Sequence, residues 1–111
     1  TQISKFVLCN LSTRVIQAQY ELTERCIEVL AIPQGKIPLI LDIGCGSGLS
    51  GEVLTNHGYF WVGMDISKSM LDIAKENDET SNLIRNDMGQ GLPFKPATFD
   101  YAIRYILYNI F

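Results

Sequence analysis

Histidine is almost absent: His57 is the only one in the chain. A histidine metal cluster or a multi-histidine proton relay is therefore excluded, and His57, next to Gly58, reads as a helix cap or a surface residue. Cysteine is scarce too. Cys9, Cys26 and Cys45 form no Cys-x-x-Cys pair. That spacing predicts neither a disulfide framework nor a zinc site, and it fits a reducing compartment. Basic charge is in the minority, with nine Lys and Arg against twelve Asp and Glu and a net charge of −3. Phosphate docking runs on clustered Lys and Arg, so an acidic chain is a poor nucleic-acid surface by itself. The longest apolar run, from Tyr101 to Phe111, is broken by Arg104 and is too short to span a bilayer. No signal peptide, repeat or low-complexity tract is visible in these residues. What remains is a 111-residue chain that is 47% hydrophobic and 19% charged, enough for one packed domain. The chain begins at Thr1 and ends on an apolar run, and both ends are expected to be cut.

Residues 1–10 carry no clear period. Ser12 or Thr13 then predicts a helix cap, followed by Val15, Ala18, Leu22, Cys26 and Val29 on one helical face, with Pro33 and Gly35 as the stop. Leu39-Ile40-Leu41 reads as a buried strand closed by Asp42 and glycines. A helix over Leu49 to Asn56, a strand from Tyr59 to Met64 ending at Asp65, and a Ser67-capped helix to Asn77 follow. Leu83 to Asn86 is a weaker strand before Asp87, Gly89 to Pro96 a loop, and Phe99 to Tyr105 a fourth strand. Strand–helix–strand alternation predicts an α/β fold with parallel strands and right-handed crossovers. The predicted division is an N-terminal helical segment over 1–36 and a partial cofactor-binding domain over 37–111.

The chemistry concentrates in Asp42-Ile43-Gly44-Cys45-Gly46-Ser47-Gly48, between a strand and a helix. Glycines let a ligand lie against bare backbone, and the helix start offers unpaired N–H donors that suit a methionyl carboxylate as well as a phosphate. Gly46-Ser47-Gly48-Leu49-Ser50-Gly51 also fits the G-x-G-x-x-G dinucleotide fingerprint. Two features favour S-adenosylmethionine (SAM) over a dinucleotide. Asp42 would attract a cationic amino group and repel a pyrophosphate, and Gly51 is expected well inside the helix. Asp65, about twenty residues beyond the loop, is placed to accept from ribose hydroxyls. Asp87 is placed to accept from an adenine amino group, with the Met88 backbone nearby and Ile66 and Met88 as apolar walls. Turn-forming roles are the competing readings for both aspartates.

With these residues on the page, three longer stretches become familiar. They are Leu41 to Gly51, Trp61 to Ser67 with Met70-Leu71, and Asp87-Met88-Gly89-Gln90-Gly91-Leu92-Pro93-Phe94-Lys95-Pro96 followed by Phe99-Asp100. Together with Ser12-Thr13-Arg14 and Gln17, they resemble the eukaryotic 18S ribosomal RNA (guanine-N(7)) methyltransferase family, among class I SAM-dependent methyltransferases, over roughly residues 9 to 103. The resemblance implies a Rossmann-like, three-layer parallel sheet, incomplete here with its first four strands. It implies SAM as cofactor, held by Asp42, Gly44, Cys45, Gly46, Gly48, Asp65, Ile66, Asp87 and Met88, and no metal. It implies small-subunit rRNA and a small zinc-binding activator protein as partners, and residence in the nucleus (nucleolus and nucleoplasm), with the cytoplasm as a second compartment. Residues 104–111 depart from the family's serine-rich continuation, which implies an altered or truncated end.

Guanine N(7) carries an unprotonated lone pair, so methyl transfer to it requires alignment and water exclusion rather than a strong base. The shortage of candidate catalysts agrees with that. Cys45 reads as a small loop residue, not a nucleophile. Lys95 reads as a solvated loop residue, and Tyr101, Tyr105 and Tyr108 as core rather than base-stacking platforms. Arg14 and Gln17 are candidates for lining the cofactor pocket. Two alternatives stay open: a catalytically inactive SAM-binding fragment, and a nicotinamide-dependent oxidoreductase fragment. The chain alone is expected to be inactive, with its fourth strand at an open, aggregation-prone edge.

Overall fold

A computed structural model describes the backbone of residues 5–11 and 16–107 and the side chains of residues 17–104. The chain runs β1 (Lys5–Leu11), α1 (Ile16–Leu30), β2 (Leu39–Ile43), α2 (Leu49–Asn56), β3 (Phe60–Asp65), α3 (Lys68–Asn77), β4 (Asn82–Arg85), a 3-10 turn (Met88–Gln90) and β5 (Tyr101–Leu107). The expected caps at Ser12 and Thr13, and Val15, lie outside the described residues. The predicted α/β alternation is present as one parallel sheet in the order β1-β5-β2-β3-β4.

One strand exceeds the predicted four. The stretch left ambiguous by sequence forms β1, which pairs in parallel with β5 from Lys5↔Tyr101 to Leu11↔Leu107. The expected open edge at the fourth predicted strand, β5, is therefore corrected: β5 has a neighbour on each side. Pairing between strands ninety residues apart leaves no local trace, which is why neither pattern nor propensity announced it.

Side chains alternate strictly between the two faces of the sheet. Ile40, Trp61, Tyr101 and Ile103 pack with Cys26, Ile27 and Leu30 of α1 and Val53 and Leu54 of α2. Leu41, Ile43, Met64 and Ala102 face the other way and pack with Phe99, Met88, Leu92 and Phe94. Chain order β2, β3, β4 advances in one direction, so right-handed crossovers put α2 and α3 on the same face. Among the described residues the third layer is thus the 88–99 loop rather than a helix, with Phe94 and Phe99 packed edge to face at 4.7 Å. Cover on both sides explains why β2 is apolar almost throughout.

Helix α1 buries a different stripe from the predicted one. Thr23, Cys26, Ile27 and Leu30 are inside, whereas Val29 is 43% exposed. The helix is rolled so that Thr23 turns inward, and its hydroxyl donates to the Gln19 carbonyl at 2.8 Å. Two polar contacts hold α1 on α2: Tyr20 donates to Glu52 at 2.9 Å, and His57 meets Glu24 at 2.9 Å. His57 also closes α2 through its backbone N–H, so it is a cap that doubles as an interhelix strut. Cys26 is disulfide-bonded and Cys45 is a free thiol. The expectation of no disulfide is corrected accordingly: a disulfide depends on closeness in space, which cysteine spacing does not report. Tyr101 is buried, as expected, and Lys95 is exposed. The side chains of Tyr105 and Tyr108 lie outside the described residues.

Candidate cofactor-binding site

Parallel strands deliver their carboxyl ends to one edge. That edge carries Asp42 in β2, Asp65 closing β3, and Asp87 two residues beyond β4. β2 lies at the point where the connections diverge, with β3 on one side and β5 on the other, the usual ligand crevice of an open α/β sheet. A cavity of about 480 Å³ opens there, on the helix-covered face.

The turn from β2 to α2 builds its wall. Gly44, Gly46 and Gly48 have φ of 74°, 53° and 92°, the left-handed region in which a side chain is strained. The Gly44 and Cys45 N–H groups donate to the Met64 carbonyl at 2.7 and 3.1 Å, stitching the loop to β3. Gly48 caps α2 with its backbone, and no side chain among the described residues hydrogen-bonds as a cap there. Gly44, Cys45, Gly46, Ser47, Leu49 and Ser50 line the cavity from this side, and Asp65 and Met70 line it from β3 and α3.

Asp65 is the organising acid. One carboxylate oxygen accepts from the Gly46 N–H at 2.8 Å and the other from the Ser67 N–H at 2.9 Å. Each oxygen retains a second lone pair, so the group can still accept two hydrogen bonds from a diol. Asp42 is a different kind of acid. It is fully buried on the helical face of β2, its Oδ2 accepts from the Ser50 hydroxyl, and its Oδ1 has no hydrogen-bond partner among the described residues. Burial pushes its pKa up to about 7; the Ser50 bond works against that rise, and the charge of Asp65 adds to it. The carboxyl lies behind the loop rather than in the cavity lining. The Cys45 thiol is pushed up to about 12 by burial and by the negative charges of Asp42 and Asp65. A thiol held in that range is no nucleophile at neutral pH.

The remaining sequence-predicted residues sit on the same edge but outside the lining of this cavity. Ile66 is 59% exposed, an apolar side chain left facing solvent. Asp87 caps the 3-10 turn by accepting from the Gly89 N–H at 2.9 Å, and Met88 packs against the second core cluster. Gln17 points to solvent and bonds Glu21 at 3.3 Å, and Arg14 lies outside the described residues. The helix instead contributes Gln19 and Thr23 to the cavity, two residues that sequence reading missed. The available signal was a polar i, i+4 pair interrupting the stripe that continues to Cys26 and Leu30.

Gly51 also needs correction. It is the third residue of α2, not deep in the helix. A Cβ there would lie 2.2 Å from the Trp61 ring, so this glycine serves helix–strand packing. That is also the role of the third glycine in the dinucleotide fingerprint, so Gly51 does not separate the two ligands.

Comparison with known proteins places the chain among methyltransferases. Residues 40–110 match the family model of a methyltransferase domain. The chain is 49% identical over 92 residues to an 18S rRNA (guanine-N(7))-methyltransferase of Mus musculus, covering 83% of this chain and 33% of that protein. It thus spans about a third of the length of the curated relatives it matches. A crystal structure from Pyrococcus horikoshii OT3 superposes with a TM-score of 0.67 at 28% identity, covering 81% of this chain and 42% of the other. An S-adenosylmethionine-dependent methyltransferase from Mesorhizobium loti gives 0.60 at 27%, covering 74% and 38%. Glycine loop, carboxylate edge and sequence likeness coincide on one stretch of chain, and the chain belongs to the methyltransferase domain family.

Proposed function

We propose that this chain is the SAM-binding part of an enzyme that methylates N(7) of a guanosine in small-subunit rRNA. The observation that carries the reading is the identity with the mouse 18S rRNA methyltransferase across four-fifths of the chain, which takes in the entire carboxylate edge. The residues present suit the cofactor. Bare backbone at Gly44, Gly46 and Gly48 leaves room for a ligand that a Cβ would crowd, and Asp65 keeps two free acceptor positions for a ribose. Ile66, Asp87 and Met88, on the same edge, are the residues this reading gives to the adenine. Asp65 gives the cavity an acidic wall, which favours a cationic ligand.

When bound, SAM supplies an electrophilic methyl group. This chain's own residues bind and orient: the glycine loop and the start of α2 present N–H donors, Asp65 fixes the sugar, and Gln19 and Thr23 of α1 form a further wall of the cavity. Guanine N(7) needs no proton removed, so neither His57 nor Cys45 is required as a base. The division at residue 36, the small zinc-binding activator, the pre-ribosomal substrate and a nuclear location belong to the same proposal, as does inactivity of this chain by itself.

Calorimetry tests the cofactor. SAM and S-adenosylhomocysteine should bind and NAD should not; NAD binding without SAM binding rejects the reading. Transfer of a labelled methyl group to small-subunit rRNA by the full-length protein with its activator tests the substrate, and labelling at a position other than guanine N(7) refutes it.

A further inference from the structure

We infer that Gln19 is a specificity-determining contact for the amino-acid end of the ligand; the inference rests on the SAM reading above. The cavity is lined from two sides. Asp65 and Met70 belong to the β3–α3 side, and Gln19, Thr23, Leu49 and Ser50 to the α1–α2 side. Asp65 is the acceptor suited to a ribose, and the exposed Ile66 continues the edge away from α1. A nucleoside placed with its sugar at Asp65 and its base toward Ile66 therefore directs its 5′ substituent toward α1 and the start of α2. In SAM that substituent ends in an ammonium and a carboxylate.

The groups waiting there match such an end. The start of α2 offers backbone N–H donors with no side-chain cap bond among the described residues. Thr23 is buried, and its hydroxyl proton is already committed to the Gln19 carbonyl. Gln19 is half-buried, lines the cavity and carries both an amide donor and an amide acceptor. Its position is fixed from behind, because the neighbouring Tyr20 and Glu24 tie α1 to Glu52 and His57 of α2. A primary amide can serve a carboxylate and an ammonium alike, whereas a carboxylate at this position would repel the former.

The test compares three probes on the wild-type chain and on Gln19→Ala, Gln19→Leu and Gln19→Glu. S-adenosylhomocysteine and SAM carry the amino-acid end; 5′-methylthioadenosine keeps the nucleoside and lacks it. Gln19→Ala and Gln19→Leu should each weaken the first two about tenfold and leave 5′-methylthioadenosine within a factor of two. Gln19→Glu should be at least as damaging. Equal weakening of all three probes, or no weakening of any, overturns the inference: Gln19 would then shape the cavity or face away from the ligand. Leucine keeps the volume, and a thermal melt of each variant separates lost contact from lost fold. If the wild-type chain binds none of the three, the SAM reading itself fails; selective weakening cannot then be mistaken for it.

Discussion

Replacing Gly51 by alanine should destabilise the fold, although the same exchange in an unremarkable helix stabilises. A Cβ at position 51 would sit 2.2, 2.4 and 2.6 Å from three atoms of the Trp61 ring. The ring cannot easily yield. It is 9% exposed within the helical-face core, and its indole N–H donates to the Thr55 hydroxyl at 2.9 Å. Overpacking of this kind costs about 1–3 kcal/mol, and freeing the indole from Thr55 adds about 1 kcal/mol. The gain in helix propensity from Gly to Ala returns about 1 kcal/mol, leaving a net loss of about 2 kcal/mol. For a domain of this size that corresponds to a fall of about 10 °C in Tm. Trp61 is the sole tryptophan, so its fluorescence reports urea or thermal unfolding directly. A Trp61→Phe background removes the atoms that clash along with the fluorophore, so all four chains of a double-mutant cycle are melted by far-UV circular dichroism, and the penalty of Gly51→Ala should shrink in that background. A Gly51→Ala chain as stable as the parent, or more so, refutes the packing argument.

Asp42 should make stability fall as pH rises from about 4 to about 7, because its raised pKa leaves the folded state with one more proton than the unfolded state over that interval. Asp42→Asn should flatten that slope in urea melts, and an unchanged slope would mean that another group sets it. The Cys45 thiol, pushed up to about 12, should react with iodoacetamide at about pH 8 far more slowly than a free cysteine peptide; rapid labelling of the native protein would show an accessible thiolate. Asp65→Ala removes the acceptor of the Gly46 and Ser67 N–H groups as well as the sugar acceptor, and should raise the Kd for SAM at least about tenfold by calorimetry. A change of less than twofold would dismiss its ribose role.

The glycine loop was legible before any coordinates, because each part of it is a local requirement. A positive φ at three alternate positions demands glycine, the acid must directly precede the turn, and the following strand must end in another acid. Helix α2 could be placed to the residue for a similar reason: Gly48 opens it and His57-Gly58 close it. Helix α1 could be recognised but not oriented. Its apolar residues spread over more than one face, and only contact with β1 and α2 selects the face carrying Gln19, Thr23, Cys26 and Leu30. That same roll puts Gln19 at the cavity, where Gln17 had been the candidate.

The amino-acid order by itself determined the alternation of strands and helices, the bare-backbone turn and the three acids, since these follow from periodicity and from what single residues can or cannot do. Tertiary structure alone decided that β1 flanks β5, that a loop forms the third layer, that Gly51 answers to Trp61, and that Asp42 lies buried behind the turn while Asp65 faces the cavity. Those outcomes depend on which distant surfaces meet, and burial and proximity are properties of the assembled sheet that no stretch of chain carries alone.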